Sequence, residues 1–274
     1  MNSYFHSIAD AFAEHVYTDR ATFLCRKVFV LSGLKPVTNK FLSIYYDDGA
    51  CFQIMNEEII FHSPNVEEFT ILRGLKSDKP VLRDMAESLD ENKVFYDVGA
   101  NIGLYTCSIG SLTDCEVYSF EPHPKNADKL KQNAERNDIS FTLMEKAASD
   151  KEGTERISIE KDVTGEGQVN LTNSEEGTKI KSCRLDNLVN KEVIPSPDVI
   201  KIDVEGAELK VLKGMENIDK KELPEAIYCE IHPTVERYGA TTDQVEQKLR
   251  EMDYKLETLD KLFGNRRMVK AEKK

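Results

Sequence analysis

Carboxylates recur where predicted strands end, and the first of them lies in a glycine-containing turn. The segment "YDVGANIGLYT" (residues 96–106) places Asp97 at the end of a strand, followed by Gly99 and Gly103 in a turn that leads into a helix. Such turns usually hold an anionic pyrophosphate at the helix N-terminus, where backbone N–H groups point at the ligand. Because Asp97 would repel a pyrophosphate, the turn predicts a ligand with positive charge.

The residues around this turn favour S-adenosylmethionine over the common nucleotide ligands. A dinucleotide motif G-x-G-x-x-G that began at Gly99 would need glycines where the chain has Asn101 and Leu104, and the sequence contains no P-loop motif. S-adenosylmethionine carries ammonium and sulfonium charges, which a carboxylate attracts. Glu121 ends the second predicted strand, at about the distance along the chain at which an acid meets ribose hydroxyls in such folds.

A second group of ionisable residues follows the fourth and fifth predicted strands. Asp203 and Glu205 end the fourth strand, Glu230 ends the fifth, and His232 comes two residues later. If a bound S-adenosylmethionine gives its methyl group to an acceptor, the transfer is an in-line displacement, so alignment supplies much of the catalysis. An acceptor that must lose a proton needs a carboxylate or an imidazole within hydrogen-bond reach. The catalytic candidates are therefore His232, Glu205, Asp203 and Glu230, with Glu205 and His232 favoured jointly.

The chemistry of this second group has alternatives. If His232 is the base, it should ionise at about pH 6–7, near the unperturbed histidine value, whereas a polar loop histidine is the competing interpretation. Glu208 is expected on the surface of the following helix. We expect a site without metal, and a metal-assisted reaction with Asp203 and Glu230 as oxygen ligands is the second possibility.

The elements that position these residues alternate between strand and helix. Alternation of this kind predicts a parallel sheet with helices on both faces, and ligands bind beyond the carboxyl ends of such strands. Residues 151–190 break the alternation and are predicted to form an inserted β-hairpin. The predicted strands are "KVFYDVGA", "EVYSFEP", "ISFTLMEKAAS", "DVIKIDVEG" and "EAIYCEIHP".

The N-terminal quarter of the chain has a different pattern. Apolar residues at helical spacing predict helices over about the first thirty residues. A hairpin signal follows at Asp48–Gly49, and "EIIFHSP" offers a further strand. Two short helices, "VEEFTILRGL" and "PVLRDMAESL", then lead into the sheet. We therefore predict an α+β cap over residues 1–64 and a catalytic domain over residues 65–274.

Composition limits the functions that the chain can have. The 274 residues carry 37 Lys and Arg against 49 Asp and Glu, and the net charge of -12 opposes binding to nucleic acid. The six cysteines form no C-x-x-C pair and no signal-like N-terminus is present, which favours reduced thiols in a cytoplasmic protein. No segment is apolar enough over enough residues to span a bilayer. The oligomeric state is left open.

Four segments together resemble a known family. In order, "DVGANIGLYT", "SFEPHPKNADKLKQN", "KAASDKEG" and "IKIDVEGAELKVLKG" are similar to the FkbM-type S-adenosylmethionine-dependent methyltransferases, over roughly residues 75 to 260. The resemblance implies a class I methyltransferase fold, which is Rossmann-like, with a mostly parallel seven-stranded sheet and a terminal antiparallel strand. It also implies O-methylation of a hydroxyl on a glycan or other hydroxylated metabolite.

The resemblance also implies which residues bind the cofactor. The turn after the first strand would hold the methionine end, the acid at the end of the second strand the ribose, and the alanines at the end of the third strand the adenine, while Asp203 would border the reacting centre. The implied cofactor-binding residues are Asp97, Gly99, Ala100, Asn101, Gly103, Glu121, Pro122, Ala147, Ala148 and Asp203. The alternatives are a nicotinamide-dependent oxidoreductase on a similar sheet and a non-catalytic S-adenosylmethionine-binding module.

Overall fold

A computed structural model describes residues 49–62, 65–159, 169–171, 177–261 and 266–274. The helices predicted over the first thirty residues lie outside these ranges. In chain order the elements are β1 (Ala50–Ile54), β2 (Glu57–Phe61), α1 (Val66–Glu87), β3 (Val94–Val98), α2 (Leu104–Leu112), β4 (Glu116–Phe120), α3 (Pro124–Arg136), β5 (Thr142–Met144), β6 (Ala147–Ala148), β7 (Gly153–Ile159), β8 (Val169–Leu171), β9 (Thr178–Cys183), α4 (Leu185–Asn190), β10 (Val199–Ile202), α5 (Glu208–Lys213), β11 (Ala226–Ile231), a 3-10 helix (Pro233–Tyr238), α6 (Thr242–Glu251), β12 (Tyr254–Lys261) and β13 (Arg267–Lys273).

The main sheet in the described part of the chain has seven strands in the order β12-β13-β11-β10-β3-β4-β5. The strands from β11 to β5 run parallel, whereas β13 is antiparallel to both of its neighbours. Every residue of β3 and β10 is buried, as expected for central parallel strands that are covered on both faces. The predicted class I methyltransferase fold is therefore confirmed.

Side chains that alternate along the central strands build two hydrophobic clusters, one on each face of the sheet. Tyr96 and Ile200 belong to the cluster that also contains residues of α4, α5 and α6. Phe95 and Val199 belong to the other cluster, which contains residues of α1 and α2. Asp97 of β3 and the lysine two residues after Val199 share that second face, so α2 covers them.

The predicted insertion is a hairpin with additional strands. β7 pairs antiparallel with β9, and β8 pairs antiparallel with β7. β6 pairs parallel with β9, which completes a separate four-stranded sheet. The hairpin predicted within residues 151–190 is confirmed, and the short helix α4 ends that segment.

The two helices predicted before the sheet form one helix, α1, which continues through Pro80. The prediction of a break there was wrong. Leu72, on one side of the proline, and Leu82 and Met85, on the other, are fully buried in the same cluster. Packing of this face outweighs the loss of one helical hydrogen bond at the proline.

The hairpin formed by β1 and β2 packs against the main sheet's helices. Its turn lies at Met55–Asn56, whereas the predicted turn at Asp48–Gly49 lies partly outside the described residues. Two asparagines, one in α3 and one directly after it, bind the backbone of β2 and of the residue that follows β2. Asn137 Oδ1 accepts a hydrogen bond from the Ile60 N–H at 2.8 Å, and Asn133 Oδ1 accepts one from the His62 N–H at 2.8 Å. The predicted division between residues 64 and 65 stays a prediction.

We expect Asn133→Ala to lower the free energy of unfolding by about 2–4 kcal/mol, because two backbone groups lose their partners at a buried position. The Asn133 side chain is fully buried, and besides the His62 N–H it binds the Ile102 carbonyl at 2.7 Å. Urea unfolding measures the change. The control is Gln132→Ala at the exposed neighbouring position, where the change should stay within about 0.5 kcal/mol. Equal effects of the two substitutions would contradict the bridging role of Asn133.

Candidate active site

A cleft opens at the carboxyl ends of β3, β4 and β10. It encloses about 770 Å³ when the space at its open mouth is included. The cleft extends from the turn after β4 to the turn after β10. Of the residues predicted from the sequence, it is lined by Gly99, Asn101, Glu121, Pro122, Ala147, Ala148, Asp203 and Glu205.

Glu121 joins the turns after β3 and β4. Its Oε2 accepts a hydrogen bond from the Asn101 N–H at 2.7 Å, and its Oε1 accepts one from the His123 N–H at 2.8 Å. Burial raises the pKa of Glu121 to about 7, although these two backbone hydrogen bonds oppose the shift. The carboxylate keeps two further lone pairs, which a ligand in the cleft can use.

The turn after β3 lies directly against the turn after β10. Gly99 has a φ of +82°, and a Cβ at this position would lie 1.9 Å from the carbonyl oxygen of Asp203. Only glycine permits this approach. The close contact brings the cofactor-binding turn predicted at Gly99 next to the acids predicted to be catalytic.

Asp97 is fully buried and is not among the residues that line the cleft. Its Oδ2 accepts hydrogen bonds from the backbone N–H of Thr106 at 3.0 Å and from the Thr106 hydroxyl at 2.7 Å. Its Oδ1 faces an internal cation, the ammonium of Lys201, at 3.4 Å. Ala100 and Gly103 do not line the cleft either. Direct contact between these three residues and a cofactor stays a prediction.

Lys201 is the site residue that the sequence analysis missed. Its side chain is 3% exposed, and its Nζ lies 3.4 Å from Asp97 Oδ1, 3.4 Å from Asp203 Oδ2 and 4.7 Å from the centre of the Tyr105 ring. Burial alone would lower its pKa, but attraction by Asp203 and Asp97 outweighs burial and raises the pKa of Lys201. A lysine inside the otherwise apolar strand "VIKI" is the sequence signal that could have identified it.

The four predicted catalytic residues come together around one imidazole. His232 is 1% exposed, and its Nε2 lies 3.3 Å from Glu230 Oε1, 3.6 Å from Asp203 Oδ1 and 3.6 Å from Glu205 Oε2. Its Nδ1 lies 2.7 Å from Glu208 Oε1. Glu208 is fully buried, so its predicted position on the helix surface was wrong.

The charges around His232 change its chemistry. Burial opposes protonation, but Glu208, Glu230, Asp203 and Glu205 outweigh it and raise the pKa of His232 to about 11. The expected ionisation near pH 6–7 is therefore not that of this imidazole, which is a cation in the protein alone. Burial raises the pKa of Glu205 to about 7 against the attraction of His232.

Asp78 on α1 also faces this group. Burial raises the pKa of Asp78 to about 6, although its hydrogen bond with Tyr105 opposes the shift. Glu230, Asp203 and Lys201 act electrostatically on the Asp78 carboxyl. Helix α1 therefore contributes a titratable group to the surroundings of the catalytic candidates.

In sequence, the chain is similar to known methyltransferases. A model described as the methyltransferase FkbM domain matches residues 97–256. The hexuronic acid methyltransferase AglP of Haloferax volcanii is 33% identical over 189 residues, which are 69% of this chain and 77% of that protein. The 31-O-demethyl-FK506 methyltransferase FkbM of Streptomyces tacrolimicus is 24% identical over 211 residues, 66% of this chain and 80% of that protein. A solved rRNA methylase from Streptococcus thermophilus superimposes with a TM-score of 0.46 at 16% identity, covering 71% of this chain and 95% of that one.

We expect Lys201→Met to destabilise the protein by about 3–5 kcal/mol, because it leaves the buried carboxylate of Asp97 and the partly buried carboxylate of Asp203 without their cation. Urea unfolding measures the loss, with Lys191→Met at an exposed position as the control. The double variant Asp97→Asn/Lys201→Met should recover part of the loss, since one buried charge is then removed. A loss below about 1 kcal/mol for Lys201→Met would contradict the pairing.

Proposed function

Because the chain belongs to the FkbM methyltransferase family, we propose that it transfers the methyl group of S-adenosylmethionine to a hydroxyl oxygen of a glycan or another hydroxylated metabolite. One observation carries this proposal. The Glu121 carboxylate and the acids Asp203 and Glu205 line the same cleft. A cofactor held at one end can therefore present its methyl group to an acceptor at the other.

The cofactor is S-adenosylmethionine, and the residues of the cleft fit it. Gly99 offers bare backbone where a Cβ would collide with the neighbouring turn, and Glu121 offers an acceptor for ribose hydroxyls. Ala147 and Ala148 line the same cleft and supply small apolar surface beside the adenine. When bound, the cofactor supplies a methyl group on a positively charged sulfur.

Acidic and basic side chains lie together at the acceptor end of the cleft. Lys201 and His232 lower the pKa of Asp203 against the opposing effect of burial, so Asp203 stays ionised. Glu205 and Glu230 both lie against the same imidazole. Glu205 lines the cleft, and either carboxylate is a candidate to take the hydroxyl proton from an acceptor. In the protein alone, His232 is a cation and orients these carboxylates. This role differs from the predicted role of His232 as the base.

The relative AglP is named as a hexuronic acid methyltransferase, and we infer a uronic-acid-containing glycan as the acceptor class to test first. The net charge of -12 disfavours nucleic acid as the acceptor. Among the described helices, none is both long enough and apolar enough to cross a membrane. The described cysteines Cys51, Cys107, Cys115, Cys183 and Cys229 are free thiols, and we infer from them a reducing compartment such as the cytoplasm, which cell fractionation would test.

The direct test uses purified protein and S-adenosylmethionine with a ¹³C-labelled methyl group. The acceptors are a uronic-acid oligosaccharide, a neutral oligosaccharide of equal length, and ribosomal RNA. We expect a new ¹³C methyl ether signal on a glycan, stable to alkali and absent without protein. An alkali-labile methyl ester would show that the acceptor atom is a carboxyl oxygen, which contradicts transfer to a hydroxyl. Transfer only to RNA, or to nitrogen or carbon, would also contradict the proposal.

Cofactor affinity should depend on the ionisation of Glu121. Ribose hydroxyls donate to the ionised carboxylate, so below the raised pKa of about 7 binding must first release a proton. We expect the dissociation constant to be about tenfold weaker at pH 6 than at pH 8 and to level off above the pKa. Isothermal titration calorimetry across this range measures the effect.

Two variants separate this effect from general pH sensitivity. Glu121→Gln should bind more weakly by about 1.5–3 kcal/mol at pH 8 and lose the pH dependence, whereas Glu145→Gln, an exposed position, should behave like the wild type. If a folded Glu121→Gln protein keeps both the affinity and the pH profile, Glu121 does not contact the cofactor.

A further inference from the structure

An unsatisfied nitrogen lies at the acceptor end of the cleft. The His232 side chain is 2% exposed, and its Nε2 makes no hydrogen bond of good geometry although it is aimed at three carboxylates. The distances are 3.3 Å to Glu230 Oε1 and 3.6 Å each to Asp203 Oδ1 and Glu205 Oε2. A buried polar atom without a partner requires an explanation.

We propose that Asp203, Glu205 and His232 bind a divalent transition-metal ion at the acceptor end of the cleft. Their ligand atoms all lie within 4.8 Å of one another. Bonds of about 2.0–2.2 Å from a central ion to nitrogen and oxygen ligands put neighbouring ligands roughly 3–3.6 Å apart. The observed separations of 3.6 Å between Nε2 and the two carboxylate oxygens match that spacing after small side-chain adjustments.

The other nitrogen of the imidazole is held as it is in metal sites. Glu208 Oε1 lies 2.7 Å from His232 Nδ1, and the same oxygen accepts a hydrogen bond from the Gly206 N–H at 2.9 Å. A carboxylate behind a ligating histidine fixes the ring orientation and increases its basicity. Since Glu208 contacts Nδ1, Nε2 is the nitrogen that faces Asp203 and Glu205, which line the cleft. An ion there would replace the proton that Nε2 carries in the protein alone.

The backbone places Glu205 against this nitrogen at a cost. Glu205 has a φ of +52°, an unfavourable conformation for a residue with a side chain, and the following Gly206 has a φ of +109°. The Thr234 hydroxyl donates a hydrogen bond to the Glu205 carbonyl at 3.0 Å, which supports the turn. Strain of this kind persists where surrounding structure maintains it, and it is concentrated at functional sites.

The cations already present leave the proposed ligand atoms available. Lys201 contacts Asp203 through Oδ2, on the side away from the imidazole contact at Oδ1. Arg266 contacts Glu230 Oε1 at 3.0 Å. One imidazole with two carboxylates suits Mn²⁺, Fe²⁺ or Zn²⁺ better than Ca²⁺ or Mg²⁺, which prefer oxygen ligands alone.

The role of the ion rests on the proposed function, whereas its binding does not. An ion beside the acceptor hydroxyl would stabilise the negative charge that develops on oxygen as the proton leaves. In the balanced reaction the new O–CH3 bond forms as the CH3–S bond breaks, the hydroxyl proton passes to Glu230, and S-adenosylhomocysteine leaves. Glu230 can accept this proton because it is the carboxylate of the group that is not a proposed metal ligand.

Direct binding of Mn²⁺ to the full chain tests the site. The protein is treated with chelator, dialysed, and titrated with Mn²⁺ while electron paramagnetic resonance follows the free ion. We expect one Mn²⁺ per chain, and at least a tenfold weaker affinity in both Asp203→Asn and Glu205→Gln. Glu155→Gln removes a carboxylate that lines the same cleft outside this group, and it should leave the affinity unchanged.

A spectroscopic measurement identifies the ligand nitrogen even if a variant folds poorly. With histidine labelled by ¹⁵N in the ring, Zn²⁺ should shift one Nε2 resonance in the wild type, and His232→Gln identifies that resonance. Absence of Mn²⁺ and Zn²⁺ binding by the folded wild type, or binding that both carboxylate variants leave unchanged, would overturn the proposal. Metal binding without methyl transfer to any acceptor would support the metal site and contradict the proposed function.

Discussion

The ammonium of Lys201 holds together the part of the sheet on which the site depends. Lys201 in β10 pairs in register with Asp97 in β3, so the two side chains project from neighbouring positions on the same face. The same Nζ contacts Asp203 just beyond the end of β10 and lies above the Tyr105 ring of α2. One buried cation therefore pairs with two acids and links β3, which leads into the turn at Gly99, to Asp203 just beyond the end of β10.

Pairing with cations and with backbone N–H groups explains how several acids can lie together beyond the carboxyl ends of the strands. Buried carboxylates are costly unless a cation or hydrogen bonds compensate them. Lys201 compensates Asp97 and Asp203, Arg266 compensates Glu230, and His232 lies among the remaining acids. Glu121 at the other end is held by backbone N–H groups instead. The cleft thus has a hydrogen-bonded end, where we propose that the ribose binds, and a densely charged end, where we propose that the acceptor binds.

Much of this architecture follows from local sequence patterns. Alternating strands and helices predicted the parallel sheet, and acids at strand ends predicted that Asp203, Glu205, Glu230 and His232 would meet. Local patterns do not indicate which residues of other strands and helices lie nearby in space. Strand order and register decide that Lys201 lies opposite Asp97, and burial decides that Glu208 contacts His232 instead of solvent. The same limit explains the error at Pro80, because packing of α1 against the sheet, absent from local propensity, determines that the helix continues.

We propose that one cleft holds the cofactor by Glu121 and directs its methyl group to the acids around His232. A crystal structure of the protein with S-adenosylmethionine bound would show both contacts. We expect both ribose hydroxyls within hydrogen-bond distance of the Glu121 carboxylate and the sulfonium methyl group facing Asp203 and Glu205. A ribose bound away from Glu121, or a methyl group facing away from these acids, would contradict it.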